Sequence, residues 1–169
     1  KAKAWFSQIT KWLKTNHPKI KILPASRIAR NKKDAPDAVI ALGGDGTILE
    51  ATHLYHTWNP LFIGLNLGHV GFLASVRNES DFLRGLKRIF ENSYSAEPRL
   101  MICATILRNK KEIAKLHALN EVSVQHLLGM VQLKVEIEDH PFQYINGNGV
   151  LVSTASGSTA FNLSAHGPL

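Results

Sequence analysis

The chain has 169 residues, of which 44% are hydrophobic and 20% are charged. This composition is typical of a soluble globular protein and excludes a mainly disordered chain. The formal net charge of +7 comes from one end, because residues 1–33 hold ten basic residues and no acid, whereas residues 34–169 hold 10 basic and 13 acidic residues. A basic end raises the hypothesis of a nucleic-acid or anionic-membrane partner.

The cysteine count and the lengths of the apolar runs restrict the cellular setting. Cys103 is the only cysteine, which excludes an intrachain disulfide and fits a reducing compartment. We therefore expect a cytoplasmic protein, with Cys103 in the core because it lies within an apolar strand pattern. No apolar run approaches the ~18–20 residues of a membrane span, so no membrane partner is expected.

The first half of the chain predicts alternating helices and strands. An apolar stripe of helical spacing begins the chain and ends before Pro18. Its members are Trp5, Phe6, Ile9, Trp12 and Leu13. The tryptophans lie on this stripe, which favours a role in the core over nucleic-acid binding. Buried strands at 38–42 and 61–65 are each followed by a glycine-bearing turn, and helices are predicted at 47–55 and 79–90. This rhythm predicts a parallel α/β sheet with flanking helices.

Past residue 94 the pattern changes to short strands. Val131, Leu133, Val135 and Ile137 alternate with polar residues, which is the period-2 pattern of a half-exposed antiparallel strand. Further strands are predicted at 100–107, 113–117, 121–125 and 150–153. The sequence thus predicts an α/β domain at 1–95 and an incomplete β-rich, sandwich-type domain at 96–169.

The loop Gly43–Thr47 (GGDGT) stands between a predicted buried strand and a helix. Its glycines allow positive φ and close approach of backbone amides, and the following helix N-terminus favours phosphate. Asp45 would repel phosphate but suits a general base for a hydroxyl, or a ligand for phosphate-bound magnesium. The alternative is a tight turn in which Asp45 caps the helix. His69, in the next glycine-bearing turn, is a candidate phosphate contact.

Two polar segments of the second domain are further candidates for ligand binding. Residues 153–164 (STASGSTAFNLS) are rich in hydroxyl groups that suit a ribose or a nucleobase, and Asn120-Glu121 begins an apolar strand. The alternatives are a hydroxyl-rich loop that caps a helix, and a turn with a solvent-facing acid.

Four motifs together resemble the NAD kinase family: residues 43–47, 68–74 (GHVGFLA), 119–121 (LNE) and 147–164. The resemblance implies phosphoryl transfer from ATP or polyphosphate to the 2′-hydroxyl of the adenosine ribose of NAD, which gives NADP. It also implies a divalent metal such as Mg²⁺ with ATP, a homo-oligomer such as a dimer or tetramer, nucleotides as partners and no nucleic acid. The chain is expected to be truncated at both ends, and whether residues 1–169 alone are active is left open.

The resemblance implies a role for each matching residue. Asp45 would take the proton from the 2′-hydroxyl, and Gly43, Gly44, Gly46 and Thr47 would accommodate phosphates. The residues expected to contact NAD are Asp45, Gly46, Phe72, Asn120, Glu121, Asn146, Asn148, Thr159, Ala160, Phe161, Asn162, Leu163 and Ser164.

The chain departs from the family pattern at six positions, of which two are Ala155 and Ser156, where proline and threonine are usual. Phe161 stands where a tyrosine is usual, Asn148 where an aspartate is common, Asn146 where a basic residue is often found, and His166 replaces a glycine. These changes predict retained NAD binding with altered affinity.

Two other functions remain as alternatives. A lipid kinase shares the GGDGT loop but leaves Asn120-Glu121 and residues 153–164 unexplained. A non-catalytic module that binds nucleotides, or nucleic acid through the basic end, is the second alternative.

Overall fold

The computed structural model describes residues 1–23, 35–68 and 71–169. Contacts within the chain group these residues into two units, Lys1–Pro98 and Arg99–Leu169. The division lies three residues after the predicted boundary at residue 95. We call these segments unit 1 and unit 2 and describe each by itself.

Unit 1 begins with helix α1, Ala2–Asn16. The stripe predicted from the sequence is its inward face, since Ile9 and Leu13 are buried. The helix ends at Asn16. The next residue, His17, caps it by donating its N–H to the Leu13 carbonyl at 2.8 Å, and Pro18 follows directly. The predicted first helix is therefore confirmed.

Two parallel strands form the sheet described in unit 1. Strand β1, Ala38–Gly43, pairs with β2, Leu61–Asn66, in a register that sets Ala38 opposite Leu61. One residue, Gly44, separates β1 from helix α2, Asp45–Tyr55, and a single 3-10 turn continues the helix. Helix α3, Phe82–Phe90, completes the unit after another 3-10 turn at Glu79–Asp81. The predicted α/β arrangement with parallel strands is confirmed.

The core of unit 1 joins α1, β2 and α3. Its buried side chains are Ile9, Leu13, Ile63, Leu65, Phe82 and Leu86. Full burial of a side chain such as Phe82, Leu65 or Leu86 stabilises the fold by about 1.5–3 kcal/mol. The Trp5 ring lies 4.9 Å from that of Phe82, and its Nε1 donates to Glu79 Oε2 at 2.7 Å. Hydrogen bonds from Lys1 and Trp5 hold the pKa of the Glu79 carboxyl below its ordinary value.

Unit 2 consists of antiparallel strand pairs. The strands are β3 (Ile102–Arg108), β4 (Lys111–Ala118), β5 (Glu121–Gln125), β6 (Val131–Ile137), β7 (His140–Gly147) and β8 (Gly149–Ser153). Strand β3 pairs with β4, β5 with β8, and β6 with β7. A short helix, α4, spans Phe161–Ser164. The β-rich character predicted for this half of the chain is confirmed.

Two features of unit 2 differ from the sequence predictions. Strand β7 is not among the strands predicted from the sequence. Its Pro141 lacks an N–H and lies where the β6–β7 register shifts, a position that tolerates proline. Cys103 is exposed on β3, so its predicted place in the core is wrong.

Over residues 1–23, 35–68 and 71–169, no helix has the length and apolar character to cross a bilayer.

Candidate functional site

The glycine-rich loop joins β1 to α2. Gly43 ends the strand, Gly44 is the N-cap of the helix with φ −86° and ψ −170°, and Asp45 is the first helical residue. Gly43, Gly44 and Gly46 do not have the positive φ that glycine allows. Glycine is needed at 43 because a Cβ there would overlap the Thr47 side chain.

The loop leaves open space beside the start of α2. A Cβ built on Gly44 or on Gly46 would meet nothing within 4 Å. The first amides of an α-helix lack intrahelical acceptors and carry a partial positive charge. Open space at the N-terminus of an eleven-residue helix is suited to a phosphate group.

The Asp45 carboxylate turns away from its own helix terminus. Its Oδ2 accepts a hydrogen bond from the Phe72 N–H at 2.8 Å, and its Oδ1 accepts one from the Leu73 N–H at 3.2 Å. Helix α2 has no side-chain cap, so Asp45 does not cap it. Each carboxylate oxygen can accept a further hydrogen bond, and Asp45 is half-buried, which leaves it partly accessible.

Unit 1 brings the loop and Phe72 together through Asp45. The Phe72 side chain is 59% exposed and is therefore free to pack against a ligand. The connection after β2 is tied to the loop as well, because the Leu67 N–H donates to the Gly43 carbonyl at 3.3 Å. His69, the candidate phosphate contact, lies outside the described residues.

In unit 2, the segment after β8 packs on the residues before β5. The Thr154 N–H donates to the Asn120 carbonyl at 2.8 Å, and Thr154 Oγ1 donates to the Leu119 carbonyl at 2.5 Å. Gly157 approaches so closely that a Cβ there would overlap the Asn120 backbone. The structure thus brings Asn120-Glu121 and the hydroxyl-rich segment together.

Two acceptor atoms at this point are buried without a partner. Asn120 Oδ1 and Glu121 Oε2 find no hydrogen-bond donor among the residues that the structure describes. A buried polar atom without a partner costs about 1–3 kcal/mol, and native proteins rarely leave one unpaired. Two such acceptors on consecutive residues favour a ligand that offers hydrogen-bond donors, such as a ribose hydroxyl or the amino group of adenine.

The segment 159–164 divides into exposed and internal residues. Phe161, Leu163 and Ser164 are exposed, whereas Thr159 and Ala160 are half-buried. Asn162 is buried, and its Nδ2 donates to the Ser158 carbonyl at 3.3 Å and to the Pro168 carbonyl at 2.6 Å. Both hydrogen bonds of the amide nitrogen are made within the chain, so the Asn162 side chain stabilises the segment from Ser158 to Pro168.

The remaining predicted contacts lie at the β7–β8 junction. Asn146 is exposed on β7, and Asn148 is exposed between the two strands. Asn148 holds the loop before β6, since its Nδ2 donates to the Gly129 carbonyl at 3.3 Å and its carbonyl accepts from the His126 N–H at 2.9 Å.

His166 has a strained backbone that accounts for the glycine usual at this position. Its φ of 60° lies in the left-handed region, which glycine adopts freely and other residues enter at a cost of about 1–2 kcal/mol.

Some residues that shape these sites were not singled out from the sequence. Gly71 and Leu73 contact Asp45, and their only signal was membership of the GHVGFLA motif. Arg99 Nη1 donates to Ser156 Oγ at 3.1 Å and so ties the start of unit 2 to the hydroxyl-rich segment. No sequence pattern marked Arg99.

Comparison with known proteins gives matches along both units. Residues 7–94 match the family model of the ATP-NAD kinase N-terminal domain, and residues 119–169 match that of the C-terminal domain. The NAD kinase of Corynebacterium glutamicum is 40% identical over 147 residues, which are 85% of this chain and 50% of that protein. The NAD kinase of Magnetococcus marinus is 32% identical over 96% of this chain and 58% of its own length.

Solved structures agree with these matches. The NAD kinase of Archaeoglobus fulgidus in complex with ATP has a TM-score of 0.72 at 25% identity, over 96% of this chain and 61% of that one. Yeast NADH kinase complexed with NADH has a TM-score of 0.71 at 25% identity, over 78% of this chain and 40% of that one. The chain spans about half the length of the curated relatives it matches. With both units matched by family models, the chain belongs to the NAD kinase family.

Proposed function

We propose that the whole protein is a NAD kinase, which transfers a phosphoryl group from ATP or polyphosphate to the 2′-hydroxyl of the adenosine ribose of NAD. The observation that carries the proposal is the Asp45 carboxylate, held by two backbone N–H groups beside a loop with open space at Gly44 and Gly46. Phosphoryl transfer to a hydroxyl requires a fixed base beside a space that is open to the phosphate groups.

Asp45 acts as the general base in this proposal. As the 2′-oxygen attacks the terminal phosphorus of the donor, its proton passes to an oxygen of Asp45, and the bond from phosphorus to the leaving phosphate oxygen breaks. A positioned base of this kind contributes about 10²–10⁴-fold in rate. The loop residues Gly43, Gly44, Gly46 and Thr47 accommodate the phosphates near the helix terminus.

The NAD-binding residues proposed in unit 2 centre on Asn120 and Glu121. Their buried acceptor atoms supply what a ribose hydroxyl and an adenine amino group need. Phe161, exposed next to Thr159 and Ala160, offers a ring for packing. Asn146, Asn148, Leu163 and Ser164 are exposed and are proposed as outer contacts.

Magnesium is proposed to enter with the phosphoryl donor. The described residues contain no group of three or more His, Cys, Asp or Glu side chains placed to hold a metal. Mg²⁺ usually keeps several waters and is bound through substrate phosphates with one or two carboxylates. Bound through those phosphates, the ion would neutralise charge on the transferring phosphoryl group.

We also propose a cytoplasmic homo-oligomer. An exposed free thiol at Cys103 suits a reducing compartment. Leu127, Leu128 and Phe142 expose large apolar side chains in unit 2, and surface of this kind is commonly buried by association.

Membership of the NAD kinase family leaves the lipid kinase alternative without a specific observation in its favour.

The substrate class is tested by incubating the purified whole protein with NAD, Mg²⁺ and either ATP or polyphosphate. We expect NADP to form, with the new phosphate identified on the 2′-oxygen by phosphorus NMR. A parallel reaction with diacylglycerol and sphingosine tests the lipid alternative. Phosphorylation of a lipid, or no NADP with either donor, would contradict the proposal.

A further inference from the structure

The turn at Gly71–Leu73 holds the one carboxylate of the glycine-rich loop. We propose that this turn positions Asp45 for catalysis and that Gly71 is a positioning residue for the phosphoryl transfer. The inference rests on the proposed function, since it assigns a task to residues that surround the proposed base.

The two hydrogen bonds fix the orientation of the carboxylate as well as its location. The terminal torsion of an aspartate is intrinsically broad, so one hydrogen bond would leave the group free to rotate. Here each oxygen has its own donor, Phe72 N–H on Oδ2 and Leu73 N–H on Oδ1. Both donors are backbone groups of consecutive residues, which sets the plane of the carboxylate relative to the turn.

Gly71 permits this arrangement because it has no side chain. A Cβ at residue 71 would lie 2.7 Å from Asp45 Oδ1 and 3.4 Å from its Cγ, and the first of these separations is too short for a real contact. Lack of space therefore excludes an alanine side chain at residue 71 in this arrangement.

The turn has little freedom to retreat from an added methyl group. Two residues further on, the Ser75 and Val76 N–H groups both donate to the Gly64 carbonyl on β2, at 2.9 and 3.0 Å. Ser75 Oγ in turn accepts from the Gly64 N–H at 3.2 Å. Because β2 lies in the core of unit 1, we expect the carboxylate to rotate when residue 71 gains a side chain.

Gly71→Ala in the whole protein is the first test, with Gly68→Ala as its matched control. A Cβ at Gly68 has its nearest neighbour at 3.4 Å, an ordinary contact distance. Displacing a catalytic group by about 1 Å can cost about 10²-fold in rate. We therefore expect kcat of Gly71→Ala to fall about 10²-fold with the NAD Kd and KM within about threefold. An unchanged kcat would overturn the proposal, and so would an equal loss in Gly68→Ala.

A second variant removes one hydrogen-bond donor without adding a side chain. Replacing Phe72 by its α-hydroxy analogue turns the 71–72 peptide into an ester, so the donor to Asp45 Oδ2 is lost while the phenyl ring stays. We expect kcat to fall about tenfold, the order of one hydrogen bond to a charged group. This variant decides the question if Gly71→Ala does not fold, and an unchanged kcat contradicts the proposal.

A double-mutant cycle separates this inference from the proposed function. If Gly71 acts through Asp45, Gly71→Ala has no further effect on kcat in an Asp45→Asn background. Full additivity would contradict the positioning role. If Asp45→Asn alone is as fast as wild type, the proposed base is wrong; if Asp45→Asn is slow but Gly71→Ala is fast, only the positioning role fails.

Discussion

At the scale of single residues, two buried acceptor atoms of unit 2 lower the stability of the fold when no ligand is bound. Glu121 Oε2 and Asn120 Oδ1 have lost water and gained no described partner, which costs free energy in the absence of a ligand. Proteins tolerate such costs most often at functional sites. A ligand with matching donors would regain this energy on binding.

Glu121→Gln tests this trade-off, because glutamine has the same size and no charge. We expect the NAD Kd to rise about tenfold and the free energy of unfolding without NAD to stay the same or to rise. Calorimetric titration and urea unfolding measure the two quantities. Gln125→Ala, an exposed position on the same strand, is the control. Unchanged NAD affinity, or a clear loss of stability with unchanged affinity, would contradict a ligand-binding role.

At the scale of elements, α1 is fastened to the turn before α3 by Glu79. Trp5 Nε1 donates to Glu79 Oε2, and Lys1 Nζ lies 2.5 Å from Glu79 Oε1. The hydrogen bonds from Lys1 and Trp5 lower the pKa of Glu79 from its ordinary value of 4.5. A lowered folded-state pKa means that the carboxylate form stabilises the fold.

The pH dependence of stability follows from this shift. The contribution of Glu79 is fully present above its ordinary pKa and is lost as the pH falls through the lowered pKa. We therefore expect Glu79→Gln to destabilise the protein near pH 7, with the difference from wild type shrinking below about pH 4.5. Trp5→Phe keeps an aromatic ring but removes the N–H and part of the indole, so only the pH-dependent part of its effect should overlap with that of Glu79→Gln. Two results would contradict this linkage. One is a stability difference between Glu79→Gln and wild type that does not change with pH, and the other is full additivity of the two substitutions in the double variant.

The elements also show where sequence patterns stop being informative. Apolar periodicity predicts α1 and β6, because burial on one face dictates both patterns. It does not predict β7, where Pro141 is accommodated by a register shift that only the partner strand reveals. The GGDGT loop is predicted as a site, but its contact with Gly71–Leu73 joins residues more than 25 positions apart. Contacts at that separation depend on the tertiary fold and not on a local pattern.

At the scale of the whole molecule, the charge asymmetry and the site chemistry lie in different segments. The ten basic residues of 1–33 include Lys3, Lys11 and Lys14, which are exposed on α1, whereas the proposed base and the buried acceptors lie in the acidic remainder. We expect this exposed basic face of α1 to be a solvated surface that attracts phosphate-bearing ligands only weakly.

Three of the four family motifs lie at strand ends, which the apolar strand patterns of the sequence predict in outline. Gly43 ends β1, Asn120-Glu121 opens β5, and Ser153 ends β8. The sequence could not predict that the loop glycines provide space and not a left-handed backbone, since that depends on Thr47 and on the path of α2. It also could not predict that the Asn162 amide nitrogen is used internally, since its acceptors include the carbonyl of Pro168.

The measurement that tests the central claim most directly is the single-turnover rate of Asp45→Asn in the whole protein, with NAD, ATP and Mg²⁺. Asparagine keeps the size of the side chain and cannot accept the 2′-hydroxyl proton, so we expect the rate of NADP formation to fall by about 10²–10⁴-fold. The NAD Kd should stay within about threefold of wild type. The control is Glu50→Gln, which also removes one negative charge but at an exposed position of α2, and it should leave the rate unaltered. NADP formation by Asp45→Asn at the wild-type rate would contradict Asp45 as the base.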